Sequence, residues 1–361
     1  MKHKKGITIL AGATLLFVVW GAQAILTPSL TLNFVPQARA AEKPFYEGKT
    51  INILVPGVPG GGYDVYARLL SRHMGKHIPG KPRVVVENMD GAGGLIAGNH
   101  LYNRVKPDGL TFMIFNHMNI IRQLTGDPHV LLDVRKMRWI GTASDSPNMC
   151  VVRNGARYQK IEDMINAKEP LILAASSGDS REYYPKILNE VLHTNLKIIT
   201  GYKSGGAIFV AVESREAEGC CGVGWDTLQA ERPNWIEEKF ASIFLQLNPV
   251  EKVPELKNVP WIMDYIKTPA DRELVHAAMG TQAIVRSFVA PPGVPDDRLE
   301  VLRKAFMETV KDPDLVADAA RTKSPVKFRT GPEVEAFIKS WFSISKESVE
   351  KIRRIYFPSG F

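Results

Sequence analysis

The chain has 361 residues, 45% of them apolar, with 46 Lys and Arg against 38 Asp and Glu and a formal net charge of +8. Half of that excess sits in Lys2, Lys4, Lys5 and Arg39, in a stretch with no acid. The remainder is only mildly basic and has no Lys/Arg stripe of the kind that nucleic-acid binding requires. The three cysteines, Cys150, Cys220 and Cys221, are too few and wrongly spaced for a zinc site, and no metal or cofactor is expected.

Lys2, Lys4 and Lys5 precede an uncharged apolar stretch from Ile7 to Trp20 and then small residues, the order of an export signal. Cleavage after Ala22-Gln23-Ala24 or after Ala38-Arg39-Ala40 fits. The second leads directly into the polar run Ala41-Glu42-Lys43 and makes residues 1–40 the expected signal. An uncleaved membrane anchor is the alternative, because Ile7 to Leu26 approaches the roughly 20 residues that span a bilayer.

Beyond that point, strand patterns fall at Thr50 to Val55, Arg83 to Glu87, Leu110 to Phe115, Arg138 to Ile140, Met149 to Val152, Leu171 to Ala175, Lys197 to Ile199, Phe240 to Leu247 and Arg286 to Ala290. Helical faces alternate with them: Ala67, Leu70 and Met74; Ile187, Val191 and Leu192; Leu299, Leu302, Phe306 and Val310. Pro295-Asp296-Asp297 and Gly331-Pro332 punctuate the last helix starts. Strand then helix, repeated, predicts α/β lobes with parallel sheets. Pauses near Ser144 to Asn148 and at Ala290 to Pro295 predict crossings between two lobes. The first lobe is then discontinuous, residues 41–147 plus 291–361, with 148–290 forming the second. One disulfide from Cys150 to Cys220 or Cys221 is expected in an oxidising compartment, since neighbouring cysteines rarely bridge each other; three small buried thiols is the competing reading.

Two glycine-dense turns carry the chemistry. Val55 to Asp64, with Gly60, Gly61, Gly62 and Tyr63, and Glu87 to Gly94, with Gly91, Ala92 and Gly93, each follow a strand pattern and open a helix. Glycine permits close backbone approach, and the free N–H groups of a helix start carry roughly half a positive charge, so such turns cradle anions. Asp64 complements the helix dipole or accepts a hydrogen bond from a ligand amino or hydroxyl group. The turn Ser176, Ser177, Gly178, Asp179, Ser180, Arg181 repeats the arrangement, as does Tyr202, Lys203, Ser204, Gly205, while Gly224, Trp225 and Asp226 end a third segment; ordinary capping would account for any one alone. Tyr63, Tyr202 and Trp225 read as core or lip aromatics, and His117, just after a strand, is the one histidine expected near a cleft.

Enzyme signatures each lack a part. No Gly-x4-Gly-Lys-Ser/Thr loop is present, and Ile96 stands where the third glycine of a dinucleotide fingerprint belongs. Tyr102-x3-Lys106 has the spacing of a dehydrogenase Tyr/Lys pair but comes too soon after the glycine turn and before Pro107-Asp108-Gly109, and reads as a helix surface pair. Neither Gly-x-Ser-x-Gly nor His-Glu-x-x-His occurs. A secreted hydrolase or isomerase with Asp64 or His117 as base would lack a nucleophile.

Taken together, Phe45-Tyr46-x3-Thr50-Ile51, Val55-Pro56, Pro59-Gly60-Gly61 with Asp64 and Arg68, Val86-Glu87-Asn88 with Gly91 to Gly94, Lys106 to Gly109, Tyr202-Lys203, Phe288 to Pro295 with Arg298-Leu299, and Lys311-Asp312-Pro313 follow a specific order. The chain resembles, after residue 40, the Bug family, the periplasmic receptors of tripartite tricarboxylate transporters. The resemblance implies a two-lobed α/β periplasmic-binding-protein architecture, type II or Venus flytrap, with hinge strands. It also implies a monomeric, non-enzymatic receptor that passes a small organic carboxylate to transporter membrane subunits; a ligand-sensing partner of a membrane sensor kinase is the alternative. Carried over by motif, ligand contacts fall in Gly60 to Asp64, Gly91 to Gly94, Ser176 to Asp179 and Tyr202 to Gly205. Two segments depart from the family pattern: Asp179-Ser180-Arg181-Glu182 is more charged, and Glu216 to Cys221 replaces the commoner Gly-x-Val-Asp. Arg181 is placed to meet a second ligand carboxylate or Glu182.

Overall fold

In the first strand, β1 (Thr50–Val55), Ile51, Ile53 and Val55 enter one core and Leu54 another, the two-faced burial of a strand inside a parallel sheet. A computed structural model describes residues 43–358; the expected signal or anchor in residues 1–40 lies outside them. After β1 come α1 (Gly62–Met74), β2 (Arg83–Asn88), α2 (Leu95–Asn103), β3 (Thr111–Ile114), α3 (Met118–Leu124) and β4 (Arg138–Thr142). A second sheet then takes β5 (Asn148–Arg153), α4 (Ile161–Met164), β6 (Leu171–Ala174), α5 (Ser180–Leu192), β7 (Leu196–Ile199), α6 (Gly205–Glu213), β8 (Gly219–Gly224), α7 (Trp225–Glu231), α8 (Pro233–Glu237), β9 (Ala241–Gln246), α9 (Ile262–Tyr265) and α10 (Pro269–Met279). The chain returns through β10 (Ser287–Ala290), α11 (Asp296–Thr309), α12 (Pro313–Arg321), β11 (Arg329–Thr330), α13 (Gly331–Trp341) and α14 (Lys346–Tyr356).

The first sheet has the order β11-β4-β10-β3-β1-β2 and the second β7-β6-β8-β5-β9. Both are mixed rather than parallel. The parallel strands β2-β1-β3 and β7-β6-β8 are extended through antiparallel pairings by β10, β4 and β11 in one sheet and by β5 and β9 in the other. The antiparallel register of β5 and β8 lets Cys150 bridge Cys221, while Cys220 points to the other side and stays reduced and buried. The helix faces follow the apolar spacing. Ala67, Leu70 and Met74 are buried with Leu299, Leu302, Phe306 and Val310 in the first lobe, and Ile187 and Leu192 are buried in the second, with Val191 packed against them.

Three features differ from the sequence expectation. β10 lies between β3 and β4, so residues 287–290 sit in the first sheet and the crossing precedes Ser287; the proline-rich break at Ala290 to Pro295 only joins β10 to α11. The expected first-lobe segment 291–361 divides, because α14 packs on the second lobe. Its Ile352 and Tyr356 are buried in one core with Tyr183, Tyr184 and Leu188 of α5, and the Tyr183 and Tyr356 rings stack 4.3 Å apart. Finally, Gly219–Gly224 forms a fully buried strand despite its glycines. A Cβ on Gly219 would stand 2.2 Å from the Val151 carbonyl oxygen, and one on Gly222 2.5 Å from that of Ser180, so close backbone approach outweighs weak strand propensity.

Candidate functional site

Strand order positions the site. β1 has β2 on one side and β3 on the other, and β6 likewise has β7 and β8, so each sheet reverses its winding there and leaves a crevice beyond the strand carboxyl ends. The segments that follow those ends meet at one cavity of about 280 Å³, at the small end for a ligand site. Among the residues singled out from sequence, Gly61, Gly62, Tyr63, Asp64, Gly91, Ala92, Gly93, Gly94, His117, Ser176, Ser177, Asp179, Arg181, Tyr202, Lys203, Ser204 and Gly205 line it. Four do not: Gly60 sits behind the first turn, Gly178 abuts Gly93, Asp226 is buried beneath the wall, and Trp225 packs into the core of α6 and α8.

On the first lobe Gly61 and Gly94, the residues before α1 and α2, supply no side-chain cap. This leaves first-turn N–H groups of α1 for another acceptor, whereas at the second turn Gly94 N–H donates to the Gly91 carbonyl (2.9 Å) and Leu95 N–H to that of Ala92. The second turn is wound through left-handed conformations, φ +64° at Gly93 and +82° at Gly94, and a Cβ on Gly94 would stand 2.7 Å from Pro56 Cβ. Asn116 fixes this turn by donating from Nδ2 to the Gly93 carbonyl at 2.7 Å. Asp64 is spent on the scaffold. Its carboxylate accepts from Gly60 N–H (2.9 Å), Arg68 Nε (2.7 Å) and Asn88 Nδ2 (3.0 Å), and although burial pushes its pKa up, these partners hold it below the usual carboxylate value.

The second lobe presents the same turns already satisfied. Asp179 caps α5 by accepting from Arg181 N–H (2.9 Å), and it also accepts from Ser176 Oγ (2.5 Å) and Arg181 Nη1 (2.9 Å). Gly178 N–H donates to Glu182 at 2.8 Å, and Ser204 caps α6 by accepting from Ala207 N–H at 3.1 Å. Arg181 thus meets Asp179, while Glu182 is held by Lys186. His117 bridges the lobes, its Nδ1 3.3 Å from the Tyr63 hydroxyl and its Nε2 3.3 Å from the Tyr184 hydroxyl on α5. Burial, reinforced by Arg286, pushes its pKa down from 6.5 to about 3, so it is neutral. Among the described residues no group of three or more His, Cys, Asp and Glu side chains is placed to hold a metal ion.

No family model matches the sequence. The "UPF0065 protein in tcbD-tcbE intergenic region" of Pseudomonas sp. (strain P51) is 25% identical over 302 residues, 82% of this chain and 84% of the relative. Among solved structures, periplasmic binding protein BugD superposes with a TM-score of 0.68 at 20% identity, covering 86% of this chain and 98% of that one. MatC from Rhodopseudomonas palustris, with bound malate, superposes at 0.66 and 17% identity, covering 85% and 99%. The chain has the Bug-type periplasmic binding-protein fold. Among the described residues of this Bug-type fold no helix is long and apolar enough to cross a membrane.

The floor of the Bug-type cleft holds residues that sequence reasoning missed. Arg286, 5% exposed and just before β10, donates from Nη2 to Asp226 Oδ2 and Thr227 Oγ1, both at 3.1 Å, and its guanidinium lies 5.1 Å from the Tyr63 ring. The pair is self-supporting: burial disfavours both charges, yet Arg286 holds the Asp226 pKa below, and Asp226 holds that of Arg286 above, their ordinary values. A lone arginine inside the apolar run Ile284 to Ala290 was the available signal, since a charge in such a run needs a partner. Asn116, directly after the β3 pattern, was a second. Glu231, at the end of α7, had none; burial raises its pKa against the pull of Arg181, Arg232 and Arg286.

Proposed function

We propose that the protein is an exported solute-binding receptor that captures a small organic carboxylate between its lobes and passes it to a tripartite tricarboxylate-type membrane transporter. One observation carries this reading: the uncapped N-terminus of α1 and the glycine turn before α2 face the same small cleft, where glycines let a ligand oxygen reach the main chain. The malate held by MatC, of similar fold, fits the same chemistry. The receptor works by closure. A carboxylate is drawn to the first-lobe amides, and the second lobe folds over it through the crossings at 143–147, 285–286 and 342–345. It performs no reaction: Asp64 is committed to the turn, and His117 is neutral, buried and too weak a base to take a substrate proton at neutral pH.

A thermal-shift screen of di- and tricarboxylates, acidic amino acids and aromatic acids tests the reading. A true ligand raises stability by about 2.7 kcal/mol at a hundredfold excess over Kd. Absence of a shift with every acid overturns it.

A further inference from the structure

Charges around the cleft are matched in pairs, with one half-buried exception. Arg68 Nε lies 2.7 Å from Asp64, Arg181 Nη1 2.9 Å from Asp179, and Arg286 Nη2 3.1 Å from Asp226. Asp90 and Lys203 line the cavity from opposite lobes as exposed residues. Glu231 also lines it and is only partly exposed. Among the described residues no donor or cation lies within hydrogen-bond or ion-pair distance of its carboxylate. A Cβ on Gly205 would stand 3.2 Å from Arg181 Nη2 and 3.8 Å from Glu231 Oε2, so guanidinium and carboxylate flank one spot at the α6 start without pairing.

We infer that the ligand carries a cationic nitrogen at the end remote from its cradled carboxylate, and that Glu231 receives it, so the cleft selects amino carboxylates over plain di- and tricarboxylates. This rests on the carboxylate-receptor reading. The two halves of the cleft are chemically unlike. The first lobe offers the uncapped start of α1 to an anion, whereas the second has filled its own α5 cap with Asp179 and the Gly178 N–H with Glu182. A second ligand carboxylate placed there finds caps already occupied and meets Glu231, a like charge in a poorly solvated pocket. An ammonium there fills the empty position beside Glu231 and restores neutrality.

Calorimetric titration with two length-matched sets tests this: succinate, β-alanine and L-aspartate, then glutarate, 4-aminobutyrate and L-glutamate. In the wild-type protein the tightest binder of a set is expected to bear a nitrogen and to exceed its plain diacid at least tenfold. E231Q is expected to weaken that binder at least tenfold and to narrow its lead over the diacid. A plain diacid that binds as tightly as its amino counterparts, an E231Q protein of unchanged preference, or a nitrogen-free acid emerging as tightest binder of the wider screen overturns the inference and leaves the receptor reading standing. If no acid of any kind binds, both fall. Should E231Q fail to fold, the wild-type ranking alone decides.

Discussion

Gly93 and Gly178 meet across the rim of the cleft, one from each lobe: a Cβ on Gly93 would stand 2.4 Å from the Gly178 carbonyl oxygen. The obstacle is main chain, which cannot swing aside as a flexible side chain can. Gly93→Ala is therefore expected to prop the lobes apart and weaken ligand binding at least tenfold. The left-handed φ of +64° adds about 1 kcal/mol of strain in the free protein. Calorimetry and small-angle scattering check it, with a variant that binds and contracts like the parent as the contrary result.

His117 makes the closed form sensitive to acid. Its pKa falls from 6.5 to about 3 on burial, so the folded, closed protein excludes the proton that an opened or unfolded chain accepts. The stability it contributes is complete above pH 6.5 and is lost as pH falls toward 3, at up to about 1.4 kcal/mol per unit. Unfolding titrations between pH 4 and 8 should show this slope, and His117→Asn should flatten it.

Arg286 and Asp226 form a buried pair with Thr227 and Ser146 around it. Arg286→Met leaves the Asp226 carboxylate without its counter-charge and should cost about 3–5 kcal/mol in urea unfolding. Adding Asp226→Asn should recover most of that loss. Equal and additive losses would show that the two side chains act independently.

The Cys150–Cys221 bridge closes a separation of 71 residues. Chain-entropy reasoning puts its contribution at about 4 kcal/mol, so a reductant should lower the Tm markedly. Cys220 should resist alkylation in the native protein, because burial pushes its thiol pKa up to about 12. Rapid labelling of the native chain would contradict the buried placement.

Local chemistry made much of this molecule legible. Turn glycines before apolar helical faces marked both first-lobe loops, and the i, i+3, i+7 spacing of Leu299, Leu302 and Phe306 marked a helix whose face is buried as expected. Pairing direction was less legible, since an apolar run such as Ser287–Ala290 suits an antiparallel position as well as a parallel one. Gly219–Gly224 is missing from the strand patterns because the reason for its glycines lies in Val151 and Ser180, far away in the chain. The same holds for the second-lobe turns. Ser176, Asp179 and Ser204 announce capping ability, but only the folded chain shows that Ser176 donates to Asp179, that Arg181 and Ala207 N–H groups occupy Asp179 and Ser204, and that Glu182 takes the Gly178 N–H.

The return of α14 to the second lobe has a practical use. Lys43 lies beside Phe45 and Tyr46 on the first-lobe core, whereas Arg354, exposed on α14, rides with the second. Under the proposed closure, a donor and acceptor dye attached at these two surface positions would sit on different lobes and turn ligand capture into an optical signal, with no alteration to the pocket itself.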